Sequence, residues 1–398
     1  MVPSLSIDKT HPAPAPASPV QRPPRYHSLD ALRGIAALVV VLHHTLLTLP
    51  LWSALGMHGV HRSAITLLFA IPPLSLLWAG HEAVAVFFAL SGFVLALMFL
   101  GPGPPDYLSF AVRRVCRIYI PYIVVMAIAM LLMTVVPHHT PELSEWFNAS
   151  WNHAVTRPLI LDHALMLGQP QYNFVDNPIW SLVHEMRYSL IFPLIMWLVL
   201  RLDWRLLAFG SLLVSVAAMG VLRHVSNNWA IDSLQYAFLF VTGATLAKYR
   251  IETAAWFSSQ PPGVRVAIGI TSLVLLGIHA LGFSDRLLVR AFAGVAPQIG
   301  ALLLLIAVIG SGQVQRLLEL KPCLWAGRVS YSLYLSHLVL LLTLVSLLHS
   351  FVSIYVILIA LPGLALVLAG ILNRLVEQPA INLGRLLGNK IAVVHTAH

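Results

Sequence analysis

Ten stretches of predominantly apolar residues recur along this chain, at approximately 31–49, 83–100, 117–136, 180–200, 205–222, 231–248, 264–283, 295–311, 329–348 and 352–372. Each is near the ~20 residues that a helix needs to cross a bilayer core. That pattern leaves few folds open. Backbone N–H and C=O groups in hydrocarbon must be satisfied internally, so only helices and closed barrels cross it. The runs are near-continuous rather than alternating, which predicts helices. The expected fold is an all-α polytopic membrane protein with about ten transmembrane helices. Charged residues are only 10% of the chain, against roughly 25% in a soluble domain, and the mean hydropathy is +0.82.

Residues 64–79 form a further apolar piece, but Pro72-Pro73 interrupts it, so it is expected to be interfacial or re-entrant. The positive-inside rule orients the rest. With the N-terminus in the cytoplasm, 18 of the 24 Lys and Arg residues fall on cytoplasmic ends and loops and 6 fall outside, which predicts both termini inside. A full span at 64–79 would move Arg113, Arg114 and Arg117 outside and spoil that bias. The net charge of +9 and pI near 9.8 are accounted for by this topology signal, and no nucleic-acid-binding signature accompanies them. The 2 cysteines, Cys116 and Cys323, imply no disulfide framework.

The expected organisation is a Pro-rich cytoplasmic tail over 1–25, a transmembrane domain over 26–382 and a cytoplasmic tail over 383–398. The tail at 1–25 has no apolar h-region and is not a secretory signal. A long non-cytoplasmic connection at about 137–179 carries His138, His139, Glu142, Glu145, Trp146, Trp151, His153, Asp162, His163 and Asp176. A polar loop of that length is commonly functional.

Ionisable groups inside the spans mark candidate chemistry, because they are costly in lipid and face a bundle interior or wet cavity. Arg33 and His44 share the first run. Eleven residues at about 100° each return His44 to within about 20° of the Arg33 face, whereas His43 points about 80° away. At about 1.5 Å per residue the two groups stand roughly 16 Å apart along the axis. Arg113, Arg114 and Arg117 crowd the cytoplasmic mouth of the third span. They could set topology alone, or recognise phosphate. His184, Glu185 and Arg187 open the fourth span, where mutual charge pairing competes with a functional role. His337 sits mid-span with Ser330 on its face, and a hydrogen-bonded packing histidine is the alternative there. Ser91 and Gly92 allow close helix approach. No HExxH or comparable ligand spacing supports a metal site from His58, His61, His138, His139, His153 or His163.

The ordered motifs are Leu29-Asp30-Ala-Leu-Arg33-Gly-Ile-Ala-Ala-Leu38 followed by His44, Phe87-Phe-Ala-Leu-Ser91-Gly-Phe93, Arg113-Arg114-Val-Cys-Arg117-Ile-Tyr-Ile-Pro121, Trp180-Ser181-Leu-Val-His-Glu185, Ser330-Tyr331-Ser-Leu-Tyr-Leu-Ser-His337 and Glu377-Gln-Pro379. Together, over about 29–380, they resemble the acyltransferase-3 family of membrane O-acyltransferases, in a stand-alone form without an esterase-like domain. The Arg-x10-His signature of that family maps onto Arg33 and His44. Many members carry paired Glu-Glu where this chain has Glu185-Met186.

The resemblance implies transfer of an acyl group, commonly acetyl, from cytosolic acyl-CoA to a hydroxyl of an extracytoplasmic glycan or a small molecule. It implies a multi-pass protein of the bacterial inner membrane, active in cell-envelope or carbohydrate modification, and no metal. On that reading His44, as a neutral imidazole, is the general base. A transient acyl-His44 is a second route. Glu185 would orient or charge-balance His44, and Arg33 would hold the His44 face or a phosphate. Arg113, Arg114 and Arg117 would bind CoA phosphate, while Asp30, Ser91, Trp180, Ser181, Tyr331 and His337 would support the site. The rival class is a proton-coupled secondary transporter, since buried His, Glu and Arg also build proton relays. Its markers, broken helices and internal repeats, are not evident.

Overall fold

The computed structural model describes residues 26–58, 64–101, 105–137, 140–168, 171–222, 225, 228–278 and 287–396, and among these there is no strand. The long helices are α1 (His27–Leu47), α2 (Gly80–Phe99), α3 (Tyr107–Val135), α4 (Trp180–Arg201), α5 (Trp204–Val221), α6 (Ala237–Lys248), α7 (Pro262–Gly277), α8 (Leu287–Gly310), α9 (Lys321–Leu348), α10 (Ile354–Leu372) and α11 (Gln378–Thr396). Among the described residues, 9 helices are long and apolar enough to cross a membrane. They correspond to nine of the expected spans. The expected span at 264–283 contains α7, a shorter apolar helix of 16 residues. It still joins the two ends of the bundle. It follows the Arg250–Ser259 helix, whose Phe257 lies against Gly310 at the end of α8, and its own Gly277 lies against Pro72 and Ser75 at the other end.

The Pro72-Pro73 piece does not span. It splits into a short helix, Ala64–Phe69, and a 3-10 turn, Leu74–Trp78. Residues 383–396, expected as a tail, are part of α11. This helix lies along the start of α3, and the buried Gly384 and Gly388 bring its backbone against Arg113, Cys116 and Ser109. Residues 1–25 lie outside the described residues, as do His138 and His139.

Lipid is as apolar as leucine, so helix association in a bilayer depends on close packing more than on hydrophobic burial. The α1–α9 contact shows how this works. A Cβ on Gly34 would overlap the backbone of Ala326 and Gly327, and one on Gly327 would overlap the Asp30 carbonyl. Only glycine lets these two parallel helices touch backbone to backbone. Above the contact, Ala37, Val41, Val329 and Leu333 pack as one buried cluster. The 3-4 spacing of Gly34, Ala37, Val41 and His44 keeps them on one seam. Helices α2 and α6 cross similarly, with Gly92 against Phe240 and Gly243 against Ala89.

Residues 140–168 and 171–179 form a cap over the end opposite the Arg113–Arg117 cluster. Ser144 and Thr156 cap the short helices Glu145–Ala149 and Arg157–Leu165 through their hydroxyls. The cap is tied down at several points. Ser144 Oγ donates to the Leu47 carbonyl at 2.6 Å and Tyr119 donates to the Ala164 carbonyl at 2.6 Å, while within the cap Trp151 Nε1 donates to the Val175 carbonyl at 2.9 Å. Inside it, the carboxylate oxygens of Asp176 and the Nε2 of His163 are buried without hydrogen-bond partners. Burial pushes the Asp176 carboxyl well above the usual carboxylate range and lowers the His163 imidazole, so each favours its neutral form.

Candidate active site

The α1–α9 register determines what His44 meets. His44 is ten residues beyond Gly34 (44 − 34), and His337 is ten beyond Gly327 (337 − 327), so two parallel helices touching at the glycines bring the imidazoles together. Both rings are buried, and His44 Nδ1 stands 3.0 Å from His337 Nε2. The tautomers follow from what surrounds them. His337 Nδ1 faces the carbonyls of Tyr334 at 2.7 Å and Leu333 at 3.2 Å, so it carries the hydrogen. A neutral His337 then has a lone pair on Nε2, which accepts from His44 Nδ1–H. The remaining nitrogen of His44, Nε2, is left as an unprotonated base. Within the described residues it accepts no hydrogen bond.

The other face of the His44 ring is held by the cap. Trp146 stacks on it, with ring centroids 5.3 Å apart and planes 21° apart. His43, beside it, has a different partner. Its Nδ1 is 2.6 Å from the Trp78 carbonyl, and its ring stacks on Trp78 at 6.1 Å. The two histidines differ in what their Nδ1 atoms meet, but their rings lie 5.2 Å apart and border the same chamber.

A series of cavities with shared lining residues runs from the arginine end to the cap end, and His44 borders one of them. At the arginine end, one of about 690 Å³ is lined by Arg33, Arg117, Arg328, Arg385, Asp30 and Glu377, among others. It shares Arg33, Arg117, Ser330 and Tyr331 with a narrower passage of about 40 Å³ that also touches Ser91, Glu185, Ser181 and Tyr334. Tyr334 is shared in turn with a chamber of about 70 Å³ that holds His43, His44, His81 and Trp180. Beyond it, at the cap end, lies a cavity of about 760 Å³ that shares His81, Val84 and Trp180 with the chamber.

The three clustered arginines are placed differently. Arg113 donates to Asn389 of α11 at 2.8 Å. Arg114 is buried and pairs with Glu185 at 3.0 Å, with Ser189 Oγ at 3.1 and 3.2 Å. Of the three, Arg117 lines the described cavities, beside Arg33, Arg328 and Arg385. Arg33 lies 4.0 Å from Asp30. Glu185 does not reach His44 by hydrogen bond. It accepts from Arg114 and, at 3.3 Å, from Ser91, and the position beside His44 that the sequence reading gave it belongs to His337.

Of the supporting residues, Ser91, Ser181 and Tyr331 line the passage, Asp30 lines the arginine-end cavity and Trp180 the chamber. Tyr331 donates to the Ile118 carbonyl at 2.6 Å. Ser181 Oγ lies 2.7 Å from Tyr334 OH, and both hydroxyls reach the Pro178 carbonyl, at 3.2 and 2.8 Å. Trp180 stacks on His81 at 5.4 Å, and its indole N–H donates to no group among the described residues. Arg187 and His184 lie apart. Arg187 binds the carbonyls of Leu167, Gly168 and Trp229, and His184 lies 3.4 Å from Asp232, an anchoring arrangement. Arg328, Arg385, Glu377, Tyr334 and His81 were not singled out from sequence. Two of them lie within sequence motifs, Tyr334 three residues before His337 and Glu377 at the head of Glu377-Gln-Pro379. No group of His, Cys, Asp and Glu that could hold a metal occurs among the described residues.

The sequence model of a family described as "Acyltransferase domain" matches residues 26–372. A curated relative, Acyltransferase MdmB of Streptomyces mycarofaciens, is 25% identical over 397 residues, covering 92% of this chain and 93% of that protein. No solved structure matches.

Proposed function

Since the chain belongs to this acyltransferase family, and so is a membrane acyltransferase, we propose that it moves an acyl group, in the first instance acetyl, from cytosolic acyl-CoA to a hydroxyl presented from the opposite side, with His44 as general base. The observation that carries this reading is the His44–His337 pair, with His44 bordering a chamber in the series of cavities.

In this reading the arginine end faces the cytosol, in keeping with the 18-to-6 division of basic residues, and the membrane is a bacterial inner membrane. The donor's phosphates lie against Arg33, Arg117, Arg328 and Arg385. Its narrow pantetheine arm threads the passage past Tyr331 and Ser91 and brings the thioester to the chamber. His44 Nε2 takes the proton of the acceptor hydroxyl as the oxygen attacks the thioester carbonyl. The tetrahedral intermediate collapses with rupture of the C–S bond, and the imidazolium returns its proton to the leaving thiolate. His337 Nε2 stabilises the imidazolium by accepting from Nδ1–H. The Trp180 indole N–H, and Tyr334 or Ser181 when released from Pro178, are the donors placed to meet the oxyanion. Trp146 holds the ring and covers it. The Arg114–Glu185 pair with Ser91 and Ser189 fixes the passage wall formed by α2, α3 and α4 and takes no direct part in proton transfer.

The test uses sealed vesicles of both orientations, because acyl-CoA does not cross a bilayer. Inside-out vesicles should release CoA from external acetyl-CoA, and right-side-out vesicles should not. Release from right-side-out vesicles alone would overturn the orientation. No release from either, together with proton-driven solute uptake, would favour the transporter alternative.

A further inference from the structure

The 760 Å³ cavity at the cap end has a composition that speaks to the acceptor. Its walls come from α2, α4, α5, α6 and α8 and the turn before α6, and they are mainly apolar, with Val84, Val216, Met219, Leu222 and Leu239 lining most of the space and Glu82, Gln235 and Gln298 among the polar groups. An aromatic face crosses one part, where Trp180 lies 5.4 Å from His81 and 5.7 Å from Tyr236. One buried side-chain oxygen is unsatisfied. Gln298 is 4% exposed, and its Nε2 donates to the carbonyls of Gly294 at 3.1 Å and Gln235 at 3.4 Å. Those two acceptors fix the amide orientation. Its Oε1 is left buried with no partner. A buried acceptor without a donor costs free energy, and such groups are rare in folded proteins.

On the reading that His44 is the transfer base, we propose that this cavity is the acceptor site and that the acceptor is an amphiphile, a hydroxylated head on a hydrocarbon-rich body, with one hydroxyl donating to Gln298 Oε1. A volume of 760 Å³ falls within the range of ligand pockets, roughly 300–1,000 Å³. A bare glycan presents hydroxyls around its whole surface. Walls whose polar groups are few would leave most of them unpaired, each at a desolvation cost. An apolar body meets no such cost, and the aromatic face of Trp180 suits a sugar or other ring at the end nearest His44. The cavity adjoins the catalytic chamber, sharing His81, Val84 and Trp180 with it, which gives a reason for such a ligand to be there. Such an acceptor could enter from the water or sideways from the bilayer, and both sources share this chemistry.

The probes are radiolabelled octyl β-glucoside, below its micelle threshold, and methyl β-glucoside. Their binding is measured on the full chain in nanodiscs, with protein-free nanodiscs subtracted. Saturable octyl glucoside binding at least about tenfold tighter than methyl glucoside supports the proposal. So does equal binding by His44→Ala, because the measurement does not depend on transfer. Gln298→Met, which keeps the length but not the acceptor oxygen, should weaken octyl glucoside roughly three- to tenfold, the effect of one hydrogen bond. Displacement by hexadecyl β-glucoside confined to the bilayer assigns lateral entry, and its failure to displace assigns entry from the water. Equal affinity for the methyl and octyl probes would overturn the proposal. So would octyl binding no different from protein-free nanodiscs, or displaced fully by phospholipid chains alone, or unchanged in Gln298→Met. A His44→Ala protein that still transfers acyl groups while binding octyl glucoside would defeat the transfer reading and leave this one standing.

Discussion

His337 gives the sharpest test of the proposed proton path, because two substitutions separate its hydrogen bond from its packing. Its Nε2 accepts from His44 Nδ1 at 3.0 Å, and this bond becomes charge-assisted once His44 has taken the substrate proton. Hydrogen bonds to charged groups contribute about 1.5–3 kcal/mol. At about 1.36 kcal/mol per tenfold, His337→Leu should lower kcat by roughly 10- to 150-fold. That is less than the loss expected for the base itself, and KM for acetyl-CoA should change little. His337→Gln can present its Oε1 near the position of the lost Nε2, so it should recover most of the rate, to within about tenfold of wild type by the same arithmetic. The assay is CoA release by the purified protein in nanodiscs, with tracer acetyl-CoA and an acceptor saturating for wild type, and folding is checked by size-exclusion profile. A His337→Leu enzyme with full kcat would refute the tautomer argument. Equal loss in His337→Leu and His337→Gln would show that the ring is needed only for its shape.

Three further outcomes follow from particular contacts. Arg117→Ala should raise KM for acetyl-CoA by roughly 10- to 150-fold, equivalent to about 1.5–3 kcal/mol for a charged contact, whereas Arg113→Ala, bonded to Asn389, should lower thermal stability and leave KM near wild type. Gly327→Val should separate α1 from α9 at the Asp30 carbonyl and abolish activity, with crosslinking between cysteines at 41 and 333 lost, while Gly363→Val, at a position open on its face, should do neither. Asp176 keeps its proton in the folded state, because burial raises its carboxyl well above 3.8. The unfolded chain releases that proton as pH rises past the ordinary value, so folding is penalised from there up to the raised folded value. Asp176→Asn should therefore raise the melting temperature at pH 7, and the gain should shrink as pH falls towards 4.

The spans and the His44 face were legible because both are periodicities of a single helix. Long apolar runs give the spans, and the eleven-residue step from Arg33 gives the face. Partners across helices were not. Glu185 stands on the right helix to approach the site, but whether it meets His44 or Arg114 depends on three helices packing together, and the pairing with Arg114 and Ser91 prevails. The arginines show the same limit. Their spacing says that they cluster, but not that α11 draws Arg113 aside. Gly384 and Gly388, four residues apart in the expected tail, were the available signal that this segment packs closely on another helix. His337 was named from a motif, yet its role beside His44 depends on the equal offsets from Gly34 and Gly327, which carry meaning only once those glycines are known to touch. The cap was recognisable as a long polar loop containing Trp146, but its stacking on His44 comes from tertiary tethers such as Ser144 to Leu47.

The central claim, that His44 and not its neighbour is the transfer base, is tested most directly by comparing His44→Ala with His43→Ala in single-turnover acetyl transfer. The substitutions are adjacent and similar in insertion cost, and donor binding is measured in parallel on both. Loss of a general base costs typically 10²–10⁴-fold in rate. The account predicts a loss of that size for His44→Ala with acetyl-CoA binding unchanged, and most of the wild-type rate for His43→Ala, whose ring is held by Trp78. A dead His43→Ala enzyme beside an active His44→Ala enzyme would contradict it.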